Sequence, residues 1–362
     1  MISATLSRYI AGRTLRGIGT ALLIVTAIIA LVDFVEASRT IGTEADLSPI
    51  ELLTLTLLKI PKLIEQTIPF VVLFGVMGAL AGMNRRSELT VMRAAGLSAW
   101  RFLRPAVVVS GLIGIIWSTT INPLSSQMMG EYDARSAQIT GDFQTTEIWL
   151  REGSDTAQRV IQAESLDLKA KQLDKPVFFE MTVTRDGAAV FERRFDAQAA
   201  RLLTPGYWTL YTVIENTPGE TPKHTDEITL PTNITVDDLR EQSGQPVDPP
   251  FWAIRKEIRA NEAAGFSARK LRLQFHKLLA LPFMLVAMTF IAAGVSMYLV
   301  RAGGTLRLLI IGSVMGFAVF FADSVVTAFG EVAILPVILA AWSCPVLVLL
   351  LGVTHLARIE DG

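Results

Sequence analysis

The residues best placed to do chemistry in this chain are the few ionisable ones that lie inside or beside long apolar runs: Asp33, Glu36, Lys59, Lys62, Glu65 and Asp323. Charged side chains at membrane depth are costly, and where they occur they tend to line a cavity or a pathway. Two carboxylates facing each other in such a cavity split their pKa values and can serve as acid and base, so Asp33 and Asp323 form one candidate pair. The plainer reading is that Glu36, Lys59 and Lys62 reach along the apolar surface to the interface. Asp323 has apolar residues on both sides and is expected to face protein or water.

Other chemistry finds little support. No G-x-x-x-x-G-K-[ST] loop, H-E-x-x-H or G-x-S-x-G motif occurs. His224, His276 and His355 are scattered, and a shared metal would need unusual folding. Cys344 is the only cysteine, so no disulfide forms within the chain, and its place in an apolar run suits a small packing residue. No resident cofactor, metal or nucleic-acid partner is expected.

The elements that must position these residues are membrane helices. Half of the 362 residues are hydrophobic and the charges nearly cancel, at −1. The apolar residues are bunched into six runs, Gly17–Val35, Leu63–Gly82, Phe102–Ile121, Leu278–Val300, Leu306–Ala328 and Val332–Leu356. Runs of about 20 residues, at about 1.5 Å each, cross a hydrocarbon core of roughly 30 Å. An even number of spans puts both termini on one side. Arg8, Arg13, Arg16, Arg85, Arg86, Arg93, Arg101, Arg104, Arg301, Arg307 and Arg358 all fall on that side, which the positive-inside rule makes cytoplasmic. A cleaved signal peptide over residues 1–35 is the alternative, but "VDFVEAS" lacks the small-x-small cleavage pattern.

Between the third and fourth runs lies a polar insert. "VFFEMTVT" (Val177–Thr184) alternates Phe179, Met181 and Val183 against Glu180, Thr182 and Thr184, which predicts a half-buried strand. Asp186-Gly187 predicts a turn, with "AVFERRFDAQAARL" returning as partner. "EIWLRE", "RVIQAES" and "YWTLYTVIEN" read as further strands, so a sandwich or jelly roll is expected on the far side of the membrane. The chain then becomes helical again, as an amphipathic connector into the fourth span. The expected division is 1–122 for three spans, 123–250 for the β domain, 251–276 for the connector and 277–362 for the last three spans.

One cytoplasmic segment, "NRRSELTVMRAAGLSAWRF" (Asn84–Phe102), is not explained by lipid. Leu89, Met92 and Gly96 recur at helical spacing, Glu88 suits a helix start, and Asn84 or Ser87 is a candidate cap with Gly96 as the stop. A short helix with apolar knobs and charged shoulders has the shape to dock in a groove of a soluble partner. An ordinary interfacial loop whose arginines only set topology is the alternative.

The stretch Ile68–Pro105, with Pro69 and the motif E-L-x-x-M-x-A-A-G-x-S (Glu88, Leu89, Met92, Ala94, Ala95, Gly96, Ser98), resembles the permeases of the lipopolysaccharide-export ABC transporter, the LptF/LptG type. "INP" (Ile121–Pro123), "EIWLREG", "GYWTLYTV" and "HKLLALPFMLVAM" are similar to the family in order and position, and the two β-insert stretches lean toward the G-type member. The resemblance implies a multi-pass subunit of the bacterial inner membrane, with cytoplasmic termini and a periplasmic jelly roll. It further implies a second, homologous permease, two copies of a cytosolic ABC ATPase that holds the ATP and Mg²⁺, and a single-span jelly-roll partner of the LptC type.

The implied substrate is lipopolysaccharide, drawn into a cavity between the permeases. Arg85, Arg86, Glu88, Leu89, Met92, Arg93 and Gly96 would then form the helix that meets the ATPase, with Glu88 on a basic residue and Leu89 and Met92 in the groove. Basic residues expected near the outer part of the first span are replaced by "LVDFVEASR". Arg39, Lys59 and Lys62 remain as headgroup-level cations, with Asp33 and Asp323 nearby and Phe34, Phe70 and Phe74 for the acyl chains. A membrane enzyme using Asp33 and Asp323, and a non-transporting scaffold, are the competing classes.

Overall fold

The computed structural model describes residues 4–40, 48–140, 148–153, 157–167, 170–183, 189–203, 206–219, 221–232, 234, 249–263, 267–299 and 305–361. In chain order the helices are α1 (Ala4–Thr40), α2 (Pro49–Arg85), α3 (Glu88–Ala94), α4 (Ala99–Ile116), α5 (Asn122–Thr140), α6 (Phe251–Ala263), α7 (Arg269–Leu299), α8 (Thr305–Glu331) and α9 (Val337–Asp361). A π turn, Trp117–Ile121, joins α4 to α5. Among the described residues six helices are long and apolar enough to cross a membrane, one for each apolar run.

The helices outrun the apolar runs because a helix satisfies its own backbone groups whether the side chains meet lipid or water. α2 begins well before Leu63, with Pro49 in its first turn and a reciprocal cap in which Ser48 N donates to Glu51 Oε2 (3.0 Å) and Glu51 N donates to Ser48 Oγ (3.4 Å). The third span runs on through α5 to Thr140, and the first described strand starts at Ile148, within the expected run "EIWLRE". The last span starts at Val337, not Val332, because Pro336 precedes it and residues 332–335 form a turn. Arg269 Nε holds that turn by donating to Gly330 O (2.6 Å), and its Nη2 donates to Leu335 O. Val300 and Arg301, at the expected end of the fourth span, lie outside the described residues.

α7 is the central helix: 72% of its most apolar stretch is buried, against 11% for α1 and for α8. It packs on α9, α2 and α4, and a buried Thr289 hydroxyl ties it to Ser110 of α4 (2.7 Å). α1 and α2 approach closely at Gly17 and Gly75, where a Cβ on Gly17 would lie 2.4 Å from Gly75 O. Gly312 and Gly316 of α8 receive Met77 and Leu73 of α2, whereas Gly78 and Gly82 face open space within this chain.

Among the described residues the insert is an antiparallel sheet of eight strands: β1 (Ile148–Gly153), β2 (Ala157–Ala163), β3 (Ser165–Asp167), β4 (Gln172–Asp174), β5 (Val177–Val183), β6 (Ala189–Leu203), β7 (Tyr207–Asn216) and β8 (Lys223–Pro231). The long β6 pairs with β5 and β4 along one edge and with β7 along the other. The sheet nearly closes on itself: Arg159 Nη1 of β2 donates to Pro231 O (2.7 Å), and Thr232 Oγ1 donates to Glu152 of β1. The result is a jelly-roll-like barrel around Leu150, Ile161, Phe178, Phe195, Trp208 and Leu210. The Asp186-Gly187 turn lies outside the described residues, although β5 and β6 pair as expected.

The face of β5 differs from expectation. Phe178 is fully buried and Glu180 is 9% exposed, while Phe179 and Met181 are half-buried. An acid can occupy the covered face because two guanidiniums meet it: Arg159 Nη2 at 2.5 Å and Arg193 Nε at 2.6 Å. Burial works against its charged form, but the hydrogen bonds from Arg159 and Arg193 overcome this and hold the Glu180 carboxyl below its ordinary range.

Candidate functional site

Two sites emerge, at opposite ends of the bundle. The first is a cavity of about 500 Å³ between α2, α7, α8 and α9. Its chemistry is graded along the helices. Toward the side that carries the β insert it is lined by Lys62, Glu65 and Gln66 of α2, Lys270, Gln274 and Lys277 of α7, and Asp323, Thr327 and Glu331 of α8. Deeper in, the lining turns to Phe70, Leu281, Met284, Met288 and Phe320. Such a space suits a molecule with a charged head and an apolar tail.

Two of its lysines are paired. Lys277 Nζ donates to Asp323 Oδ2 and to Thr327 Oγ1, each at 3.0 Å. Lys62 Nζ lies 3.5 Å from Glu65 Oε1. Gln274 Nε2 is buried with no hydrogen-bond partner among the described residues, leaving a donor for a bound group. The sequence reading did not single out Gln274, Lys270 or Lys277, which sit on the first turns of a helix read mainly for its apolar stretch.

Of the cavity residues expected from sequence, Lys62, Phe70 and Asp323 line this space. Lys59 and Asp33 do not: Lys59 Nζ donates to Asp33 Oδ1 at 2.7 Å and lies over the Tyr132 ring at 5.3 Å, tying α1, α2 and α5 together. Lys59 thus lies outside this space, with Asp33 as its partner. Asp33 and Asp323 do not face one another, which removes the acid pair that an enzyme reading required. Phe74 packs toward Gly312 at the α2–α8 contact. Phe34 and Arg39 on α1 are absent from the cavity lining.

The second site is α3. It starts after Ser87, whose φ of 58° turns the chain and whose side chain makes no cap. It ends at Ala94, and Gly96, φ +77°, turns the chain just beyond, with Leu97 N donating to Met92 O (3.1 Å) across the turn. Leu89 and Met92, expected to fill a partner's groove, are 4% and 9% exposed and belong to the bundle's own core. They anchor α3 rather than present it. The exposed apolar knob is Val91 at 66%, flanked by Arg93 and, before the helix, by Arg85 and Arg86. Helical periodicity finds an apolar face but does not say whether the chain itself covers it.

Glu88 is held from α1. Tyr9 OH donates to Glu88 Oε2 at 2.8 Å, Arg13 Nε donates to Tyr9 OH at 3.1 Å, and Arg13 Nη2 lies 3.6 Å from Glu88 Oε1. The carboxylate thus joins α3 to the first helix and keeps an aimed, partly open face. Among the described residues no group of three or more histidines, cysteines or acids is placed to hold a metal.

Comparison with known proteins bears on both sites. The family described as "Lipopolysaccharide export system permease LptF/LptG" matches residues 8–358. The lipopolysaccharide export system permease protein LptG of Haemophilus influenzae (strain ATCC 51907 / DSM 11121 / KW20 / Rd) is 30% identical over 139 residues, 38% of each chain. The match thus spans well under half the length of that relative.

Proposed function

The chain belongs to the LptF/LptG family of lipopolysaccharide export system permeases, and from that premise we propose that it is the G-type permease of an ABC transporter that lifts lipopolysaccharide from the outer leaflet of the inner membrane. The lipid would pass to a periplasmic bridge, with power from a separate cytosolic ATPase. The observation that carries this reading is the graded cavity: lysines and an unpartnered amide donor at the insert-bearing end, and Phe70, Met284, Met288 and Phe320 beneath.

An anionic headgroup at that end competes with Glu65 and Asp323 for Lys62 and Lys277, while acyl chains displace lipid from the apolar depth. The termini and α3 face the cytoplasm, because the arginines cluster there. Val91 and Glu88 of α3 meet the ATPase, and a basic residue of that partner joins the Tyr9–Arg13–Glu88 cluster. A second permease, two ATPase copies and a single-span jelly-roll protein complete the assembly.

The test begins with a mild-detergent pull-down of the tagged chain from its own membranes. Recovery of an ABC ATPase together with a second six-span permease is expected. In proteoliposomes, Glu88→Lys is expected to leave ATP turnover without lipid release, and Asp323→Asn to slow release without abolishing it. A folded chain recovered alone, or complete loss of function in an intact Asp323→Asn complex, would turn the reading toward a membrane enzyme.

A further inference from the structure

The motif Ile121–Pro123 stands where the chain leaves the bundle for the β domain, and neither the cavity nor α3 accounts for it. Its asparagine, Asn122, is 2% exposed and follows the π turn directly, its own N–H donating to Trp117 O. π turns inside α-helices recur at functional positions. Here the turn is embraced from two sides: Trp252 Nε1 of α6 donates to Thr119 O (2.9 Å), and Ser118 Oγ donates to Leu278 O of α7 (2.7 Å).

The Asn122 carboxamide uses both of its ends. Nδ2 donates to Glu65 Oε2 at 2.9 Å, and Oδ1 accepts from Phe251 N, the first residue of α6, also at 2.9 Å. Only this orientation works, because the flipped amide would set its oxygen against a carboxylate and its NH₂ against an N–H. Glu65 lines the cavity beside Lys62, and α6 is the element by which the chain returns from the β domain. One buried side chain therefore touches the cavity wall, the outgoing connector and the returning connector.

We propose that Asn122 is a positioning residue that ties the state of the cavity to the setting of the β domain; this rests on the permease reading above. An anion that draws Lys62 away from Glu65 frees the carboxylate to move, and the asparagine passes that movement to both connectors. The π turn gives the joint a second setting. Re-formed as an α turn it carries one residue fewer, which rotates α5 by about 100° and takes Asn122 off Glu65.

The test uses the complete complex in proteoliposomes containing purified lipopolysaccharide, in a Cys344→Ser background. Nitroxide pairs at Ile50→Cys with Val332→Cys, from the start of α2 to the turn after α8, two helices that line the cavity, and at Ile50→Cys with Glu227→Cys, from bundle to β domain, are compared before and after ATP–vanadate trapping. In the parent complex both distances shift. Asn122→Ala and Asn122→Asp are expected to lose the bundle-to-domain shift while the cavity pair still responds. Glu65→Gln keeps an oxygen for the Asn122 amide but ends the pairing with Lys62, and is expected to lose the same shift. Asn122 or Glu65 variants that behave as the parent would overturn the proposal. A parent cavity pair that ignores ATP would overturn the permease reading, and this inference with it.

Discussion

Glu180 shows how a single residue departs from its local pattern. Alternation along β5 is visible in the sequence, but which face is covered depends on Arg159 and Arg193, two strands' worth of partners at 2.5 and 2.6 Å. The consequence is measurable. Arg159 also meets Glu152 (2.5 Å), so Arg159→Met removes a cation that two poorly exposed acids share and leaves Glu180 to Arg193 alone. Breaking a buried pair costs about 3 kcal/mol, and amide exchange in β5 and β6 is expected to quicken by about a hundredfold, read by mass spectrometry. The pH dependence has a definite sign. Because the Glu180 carboxyl is held below 4.5, its contribution is complete above that value and fades as pH falls through the lower, folded one. The same exchange measurement in the parent chain is expected to show β5 loosening on acidification below about pH 4.5, and Glu180→Gln to flatten that dependence.

At the scale of elements, helix contacts rest on where backbones can meet. Gly75 and Gly17 let α1 lie against α2, and a side chain at Gly75 would begin 2.5 Å from Ile18 Cα. Gly75→Leu therefore forces the helices apart, at a cost of about 2 kcal/mol or more, whereas Gly78→Leu meets open space. Thermal unfolding in detergent is expected to separate the two, with only the former lowering the midpoint. Both glycines look alike in sequence, and Gly78 has the better small-xxx-small spacing. α3 teaches the same lesson, since Leu89 and Met92 turn inward while Val91 stays exposed. Val91→Glu is expected to release the ATPase in a pull-down from a chain that stays folded, and Leu89→Ala to destabilise the bundle instead.

For the whole molecule, the uneven burial of the spans points outward. α1 and α8 bury only 11% of their most apolar stretches, and α8 exposes Val314, Phe317 and Phe321. A helix in lipid needs no cover, but two such faces, one of them on α8, which lines the cavity, suit a second permease. Single cysteines at Ile28 or Phe317 are expected to cross-link to that subunit, while one at Leu350 of α9 is expected not to. Gel shift and mass spectrometry would read the outcome, and cross-linking confined to α9 would move the interface there.

What the sequence by itself determined is the count and order of the spans, the β nature and place of the insert, and the short helix between the second and third spans. These follow from local causes: a span must be apolar for its whole length, a half-buried strand alternates, and a helix stops at glycine. Two of the eight strands, β3 and β4, are only three residues each, too short for a period to show. Only the tertiary structure decided which polar groups meet. Lys59 answers Asp33 across 26 residues and Asn122 holds Phe251 across 129. Such pairings are set by how packed helices bring distant turns together, and no local periodicity records them.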